Sequence, residues 1–242
     1  ADDTDAQLFD ADNDGDLDLY ICSGGNEVPT SSSLLADRFY LNKKNEFIKS
    51  PQVLPTFNFE STSCVRPYDF DGDGDIDLFV GVRMVPFNYG VPGNGYILQN
   101  DGKGNFKNLQ ISELINTGLI TDAVWADLDG DHQIELIIVG EWMSPKIVSY
   151  KKNSWTDRSD EFGIEKHQGL WQSIKANDLD NDGDQDLIIG NWGLNSRIKP
   201  GTQKPTRLYI NDFDQNGSAD QILTTYNGDQ SYPLTLRQDL IS

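Results

Sequence analysis

The sequence predicts an all-β protein, a β-propeller of four-stranded blades. Three observations carry that prediction. A nine-residue acidic pattern recurs five times, at residues 10–18 (DADNDGDLD), 69–77 (DFDGDGDID), 127–135 (DLDGDHQIE), 178–186 (DLDNDGDQD) and 212–220 (DFDQNGSAD). The copies start 59, 58, 51 and 34 residues apart, and a period near fifty to sixty residues made of strands indicates propeller blades. Each copy runs into a β-rich, partly alternating segment, as in Leu17-Asp18-Leu19-Tyr20-Ile21 and Ile76-Asp77-Leu78-Phe79-Val80.

The elements follow in order. In the first unit a strand leads into residues 10–18 and a second strand leaves them. A hairpin then reads Arg38-Phe39-Tyr40-Leu41-Asn42, a polar turn and Phe47. The second unit repeats this, with Tyr96-Ile97-Leu98-Gln99-Asn100 and Phe106 on either side of the turn Asp101-Gly102-Lys103-Gly104-Asn105. The third has Lys146-Ile147-Val148-Ser149-Tyr150 and Trp155. One strand before the acidic loop, one after it and a hairpin make a blade. In the fourth unit Leu187-Ile188-Ile189 follows the loop. Arg207-Leu208-Tyr209-Ile210 comes so soon before the fifth loop that the fourth blade is expected to be shortened or to change register. The approximate blades are 1–60, 61–120, 121–170, 171–206 and an incomplete 207–242, in a single domain spanning 1–242.

Composition narrows the function. Hydrophobic residues are 37% of the chain and aromatic residues 10%, enough for a core. The formal charge of -20 makes nucleic acid and anionic membrane surfaces poor partners, and no apolar run is long enough for a membrane span. The five acidic stretches hold 22 of the 39 acidic residues and no Lys or Arg, so the other 197 residues carry a net charge of only +2. Carboxylates at alternate positions of a tight loop repel one another unless a cation sits among them. A ligand set of oxygens without His or Cys points to calcium, with about four to five ions in all. By analogy with other Asp-rich calcium loops, positions 1, 3 and 5 offer side-chain oxygens, position 7 a backbone carbonyl and position 9 a closing carboxylate. Gly at position 6 permits the positive φ of the turn.

The candidate metal residues are therefore Asp10, Asp12, Asp14, Asp16 and Asp18 in the first loop, and Asp69, Asp71, Asp73, Asp75 and Asp77 in the second. The third has Asp127, Asp129, Asp131, Gln133 and Glu135. The fourth has Asp178, Asp180, Asp182, Asp184 and Asp186, and the fifth Asp212, Asp214, Asn216, Ser218 and Asp220. An EF-hand is excluded, because position 12 is Ile21, Val80, Ile138, Ile189 or Leu223 instead of Glu, and the flanks are strands.

These residues resemble the FG-GAP and VCBS repeats that build the integrin α-subunit propeller. The signature DxDxDGxxD is met from Asp10, Asp69 and Asp178 and, with Asn216 at position 5, from Asp212. Residues 186–195 (DLIIGNWGLN) look like bacterial surface proteins that carry these repeats, related to cartilage acidic protein. The third unit departs from the signature at His132 and Glu135, so its loop is expected to be the weakest site. The family usually closes seven blades. At nearly sixty residues each these need about 400, so the chain is expected to be a partial ring of about four to five blades.

In such a blade the acidic loops share one face and the longer connections after the second strands share the other. Those connections carry Arg83, Tyr89, Trp142, Trp192 and Arg197 as candidate ligand-binding residues, together with Phe87 and Asn195. Cys22 and Cys64 read as buried free thiols, and His167 as a solvent-exposed imidazole. No catalytic motif appears. The expected function is a calcium-stabilised, non-catalytic propeller, secreted or on the cell surface, that binds a protein or glycan outside the cytosol. The alternative is the propeller part of a secreted enzyme acting on polysaccharide or lipid, of lyase or phospholipase type.

Overall fold

A computed structural model describes residues 2–56, 58–193, 201, 203–217 and 219–234. Strands dominate, and three blades are complete. The first is β1 (Asp2–Phe9), β2 (Asp18–Gly24), β3 (Arg38–Asn42) and β4 (Phe47–Lys49). The second is β5 (Ser61–Tyr68), β6 (Asp77–Met84), β7 (Gly95–Asn100) and β8 (Phe106–Leu109). The third is β9 (Leu119–Ala126), β10 (Glu135–Met143), β11 (Lys146–Lys151) and β12 (Ser154–Asp157). In each, sequence neighbours pair antiparallel. The fourth unit has two described strands, β13 (Gly169–Asn177) and β14 (Asp186–Asn191). β10 also pairs with β13, at Glu141 with Leu170 and Met143 with Gly169, which joins the third and fourth sheets at one corner.

The last sheet is β15 (Arg207–Asn211), β16 (Asp220–Asn227) and β17 (Gln230–Pro233). Because β15 pairs with β16, residues 207–211 open the fifth unit and do not complete the fourth. Leu208 and Ile210 lie against Gly90 in the connection after β6. A Cβ at Gly90 would come within 2.2 Å of Ile210 Cδ1, and its φ of +96° favours glycine as well.

The core consists of the spaces between consecutive blades. Tyr20, Cys22 and Phe39 of the first blade meet Val65, Leu78, Val80 and Leu98 of the second. Phe79 and Ile97 then meet Ile120, Leu136, Ile138 and Val148, and Ile137, Val139 and Ile147 meet Ile174, Leu187 and Ile189. β6 and β10, the strands after the second and third acidic loops, thus send alternate residues into the contacts before and after their own blades, as the two-residue strand period requires. Such strands are apolar on both faces and read as continuous runs, for example Leu136-Ile137-Ile138-Val139. Cys22 and Cys64 are buried free thiols, as expected from sequence.

Polar contacts near the starts of the first strands reinforce the stack. Thr4 Oγ1 donates to Thr62 O at 2.8 Å, Ser63 Oγ to Ile120 O at 2.6 Å and Thr121 Oγ1 to Trp171 O at 2.9 Å. Counted from the acidic loops, these donors occupy one equivalent position in three blades, and the acceptors occupy one in the next three. In the fourth blade the donor position is Gln172, whose amide turns to Glu141 Oε1 at 3.2 Å. Arg66 ties three blades together: its guanidinium pairs with Asp5 and Asp122, and Nε donates to Ala123 O at 2.8 Å.

Candidate metal loops and the opposite face

Each acidic loop joins the first two strands of its sheet, and all five fold alike. The carboxylate at position 1 accepts the N–H of position 6, at 2.9 Å from Gly15 to Asp10 and 3.0 Å from Gly74 to Asp69. The same bond recurs from His132 to Asp127, Gly183 to Asp178 and Gly217 to Asp212. The carboxylate at position 9 reaches back to the N–H of position 2, as in Ala11 to Asp18 at 2.8 Å and Phe213 to Asp220 at 2.9 Å. Position 6 has positive φ in every loop, His132 included at 65°. Position 4 does too, at Asn13, Gly72, Gly130, Asn181 and Gln215. The sequence reading did not include this second left-handed residue, although Gly and Asn at four of the five places were a usable signal.

These bonds aim positions 1, 3 and 9 at a common point. Oxygens of Asp10, Asp12 and Asp18 lie within 4.8 Å of one another, and so do those of Asp69, Asp71 and Asp77. The groups Asp127–Asp129–Glu135, Asp178–Asp180–Asp186 and Asp212–Asp214–Asp220 repeat the arrangement. Positions 5 and 7 stay outside these groups. Asp14, Asp73, Asp131 and Asp182 accept the N–H of position 7 from Asp16, Asp75, Gln133 and Asp184. Asn216 at position 5 of the fifth loop donates to Asp214 at 2.8 Å, and Ser218 lies outside the described residues.

The electrostatics are those of anions held close together. Burial raises Asp18 above the ordinary carboxylate range and lifts Asp77 to about 7. Repulsion from Asp182 raises both Asp180 and Asp184. In the first loop, Asp10 Oδ1 and Asp12 Oδ1 are buried without a hydrogen-bond partner. Lys43 meets the other oxygen of Asp12 and lies 3.1 Å from Asp14, but its ammonium is a surface group. Two orphaned carboxylate oxygens beside the buried Asp18 fit a hard divalent cation. The third loop does not fit in this way. Arg158 donates to Glu135 Oε1 at 2.8 Å and to Asp129 Oδ2 at 2.9 Å, using two of its three convergent carboxylates.

On the opposite face, Arg83, Tyr89 and Trp142 come together on one residue that sequence reasoning missed. Glu141 is buried at the end of β10. It accepts from Arg83 Nη2 and the Tyr89 hydroxyl, both at 2.8 Å. Trp142 Nε1 donates to the Tyr89 oxygen at 3.0 Å. Burial beside Glu141 pushes Tyr89 up to about 12, so it stays a donor. An acidic residue inside the run Ile137-Ile138-Val139-Gly140-Glu141-Trp142 was the available signal. Arg83 also lines a cavity of about 330 Å³ with Thr4, Ser63, Thr121 and Gln172. Trp192 stands apart with 58% of its surface exposed, and Phe87 is exposed. Arg197 and Asn195 lie outside the described residues.

Stacked four-stranded antiparallel sheets, each with an acidic loop of the same backbone form between its first two strands, define a repeat protein of propeller type. Residues 10–80 match the family model described as an FG-GAP-like repeat, a span from the first acidic loop into β6. Over those residues the chain is similar to an FG-GAP-like repeat, which supports a repeat protein of this type. A search of curated proteins returned no match.

Proposed function

We propose that the chain is a calcium-stabilised, non-catalytic propeller segment that binds a protein or carbohydrate outside the cytosol, on a secreted or cell-surface protein. The observation that carries the calcium reading is the convergence of positions 1, 3 and 9 in every loop, with the orphaned oxygens of Asp10 and Asp12. An ion held by these carboxylates would fix the turn between the first two strands and relieve their mutual repulsion. At a dissociation constant of about 0.1–1 mM, typical of extracellular modules, about 2 mM calcium stabilises each occupied site by roughly 0.6–1.8 kcal/mol. Thermal unfolding in calcium and in excess chelator tests this. A midpoint that rises by several degrees with calcium is expected, and an unchanged midpoint refutes the reading.

The ligand face is assigned to the connections opposite the metal loops, with Arg83, Tyr89, Trp142, Trp192 and Arg197. Aromatic and Arg side chains beside a hydroxyl-lined cavity suit a sugar or a protein side chain. Trp192→Ala is the cleanest probe, because its ring is exposed whereas Tyr89 and Trp142 also support Glu141. Weaker glycan or protein binding with unchanged melting is expected. Binding that survives Trp192→Ala but is lost with Asp71→Ala in a folded protein would move the site to the metal face.

A further inference from the structure

We propose that in the third repeat the guanidinium of Arg158 is the counter-cation, so that this blade closes without calcium while the other repeats take the ion. The second half of that statement rests on the calcium reading above. The first half rests on geometry alone.

Arg158 directly follows β12. The pairing of Tyr40 with Lys49, Leu98 with Asn108 and Val148 with Asp157 makes it the equivalent of Ser50 in the first blade and Leu109 in the second. Neither of those residues can supply a charge. Arg158 directs its planar fork at three carboxylates. Nη1 donates to Glu135 Oε1 and Nε to Glu161 Oε2, both at 2.8 Å, and Nη2 donates to Asp129 Oδ2 at 2.9 Å. The guanidinium also rests on the Phe162 ring, 5.0 Å from its centroid. Three charge-assisted bonds and a stacked ring fix its position far better than a flexible ammonium would be fixed.

Glu135 is fully buried, and a buried carboxylate needs a partner of opposite charge. In the first two blades the closing Asp uses its second oxygen for a backbone N–H, from Asn42 to Asp18 at 2.7 Å and from Asn100 to Asp77 at 2.8 Å. In the third, that second oxygen takes Arg158 instead. A divalent ion placed here would share Asp129 and Glu135 with a fixed positive charge a few ångströms away. The departures from the loop signature at positions 6 and 9, His132 and Glu135, both fall in the repeat that has the arginine. The first loop shows the contrast. Lys43 touches Asp12 and Asp14 at the surface, leaves Asp18 alone, and leaves two buried oxygens unpartnered.

The experiment counts calcium bound per chain on the full chain by equilibrium dialysis. Asp69→Asn with Asp71→Asn in the second loop should lose one ion. Asp127→Asn with Asp129→Asn in the third should lose none, and Arg158→Gln should gain one. A third-loop pair that loses an ion, or anomalous density for calcium between Asp129 and Glu135, overturns the proposal. If the second-loop pair keeps its count, the calcium reading fails by itself. The arginine is then judged by melting in excess chelator, where Arg158→Gln should melt several degrees lower than the unmodified chain. Arg158→Lys, which keeps a charge but loses the fork, should fall between them. An Arg158→Gln protein that melts normally in chelator overturns the assignment.

Discussion

Asp37, just before β3, is buried against the second blade. It accepts hydrogen bonds from Thr62 Oγ1 at 2.6 Å, Ser23 N at 2.8 Å and Tyr20 Oη at 2.9 Å. Burial outweighs these donors and lifts its carboxyl from the ordinary 3.8 to about 7. The folded chain therefore keeps a proton that the unfolded chain releases between about pH 4 and 7. Stability from this group is full below pH 4 and is lost as pH rises to 7, at up to about 1.4 kcal/mol per unit. Asp37→Asn keeps the shape and an acceptor for Ser23 without the charge. It should match the unmodified chain in stability at pH 4 and exceed it at pH 7 and above. Denaturant unfolding at both pH values checks this, and the comparison cancels the titration of the acidic loops. Glu141 is another buried carboxylate, on which Arg83, Tyr89 and Gln172 converge. Glu141→Ala should lower stability by about 1–3 kcal/mol through the donors it strands, which the same unfolding experiment reads.

Among the elements, the strand that leaves each acidic loop repeats one position with different burial. Tyr20, Phe79, Ile137 and Ile188 are equivalent. The first three are fully buried against the following blade, whereas Ile188 is 53% exposed. Phe79→Ala should cost about 3–5 kcal/mol and Ile188→Ala less than about 1 kcal/mol, measured as midpoint shifts in denaturant. What was legible in the sequence follows the same local logic. The acidic loops could be read because their bonds span at most seven residues, so spacing alone encodes them. The strands could be read because they face two blades and are apolar throughout. The partners of those loops were not legible. Arg158 lies 23 residues beyond Glu135, and Glu141 gathers side chains 58 residues before and 31 after it. Nothing local marks a contact made only when two blades stack. Positions 5 and 7 alternate as regularly as 1, 3 and 9, and only the backbone geometry separates them.

At the scale of the molecule, the polar ties run between neighbouring blades just as the apolar clusters do. Stability should then behave as a sum of blade terms and nearest-neighbour terms. Ser63→Ala removes one hydroxyl tie between the second and third blades, to Ile120 O, and should cost about 1 kcal/mol. Combined with Thr121→Val, which removes the next tie, the loss should be close to additive, because the two contacts share no partner. Differential scanning calorimetry of the single and double variants measures both numbers. A strongly synergistic loss would mean that the blades do not couple pairwise.

The hydroxyl ties from Thr4, Ser63 and Thr121 all point the same way along the chain, so the second and third blades each have a giving edge and a receiving edge. The second blade has both: Ser63 gives to the blade after it, and the Thr62 carbonyl receives from the one before. Its two apolar faces are likewise matched, with Leu78 and Val80 turned back and Phe79 and Ile97 turned forward. A module with complementary ends can be copied in tandem. An extra copy of residues 61–118 placed after the original would set Ser63 of one copy against the Thr62 carbonyl of the next, and Phe79 against Leu78 and Val80. The repeat thereby contains its own rule for lengthening by duplication, written in the register of one serine against one backbone carbonyl.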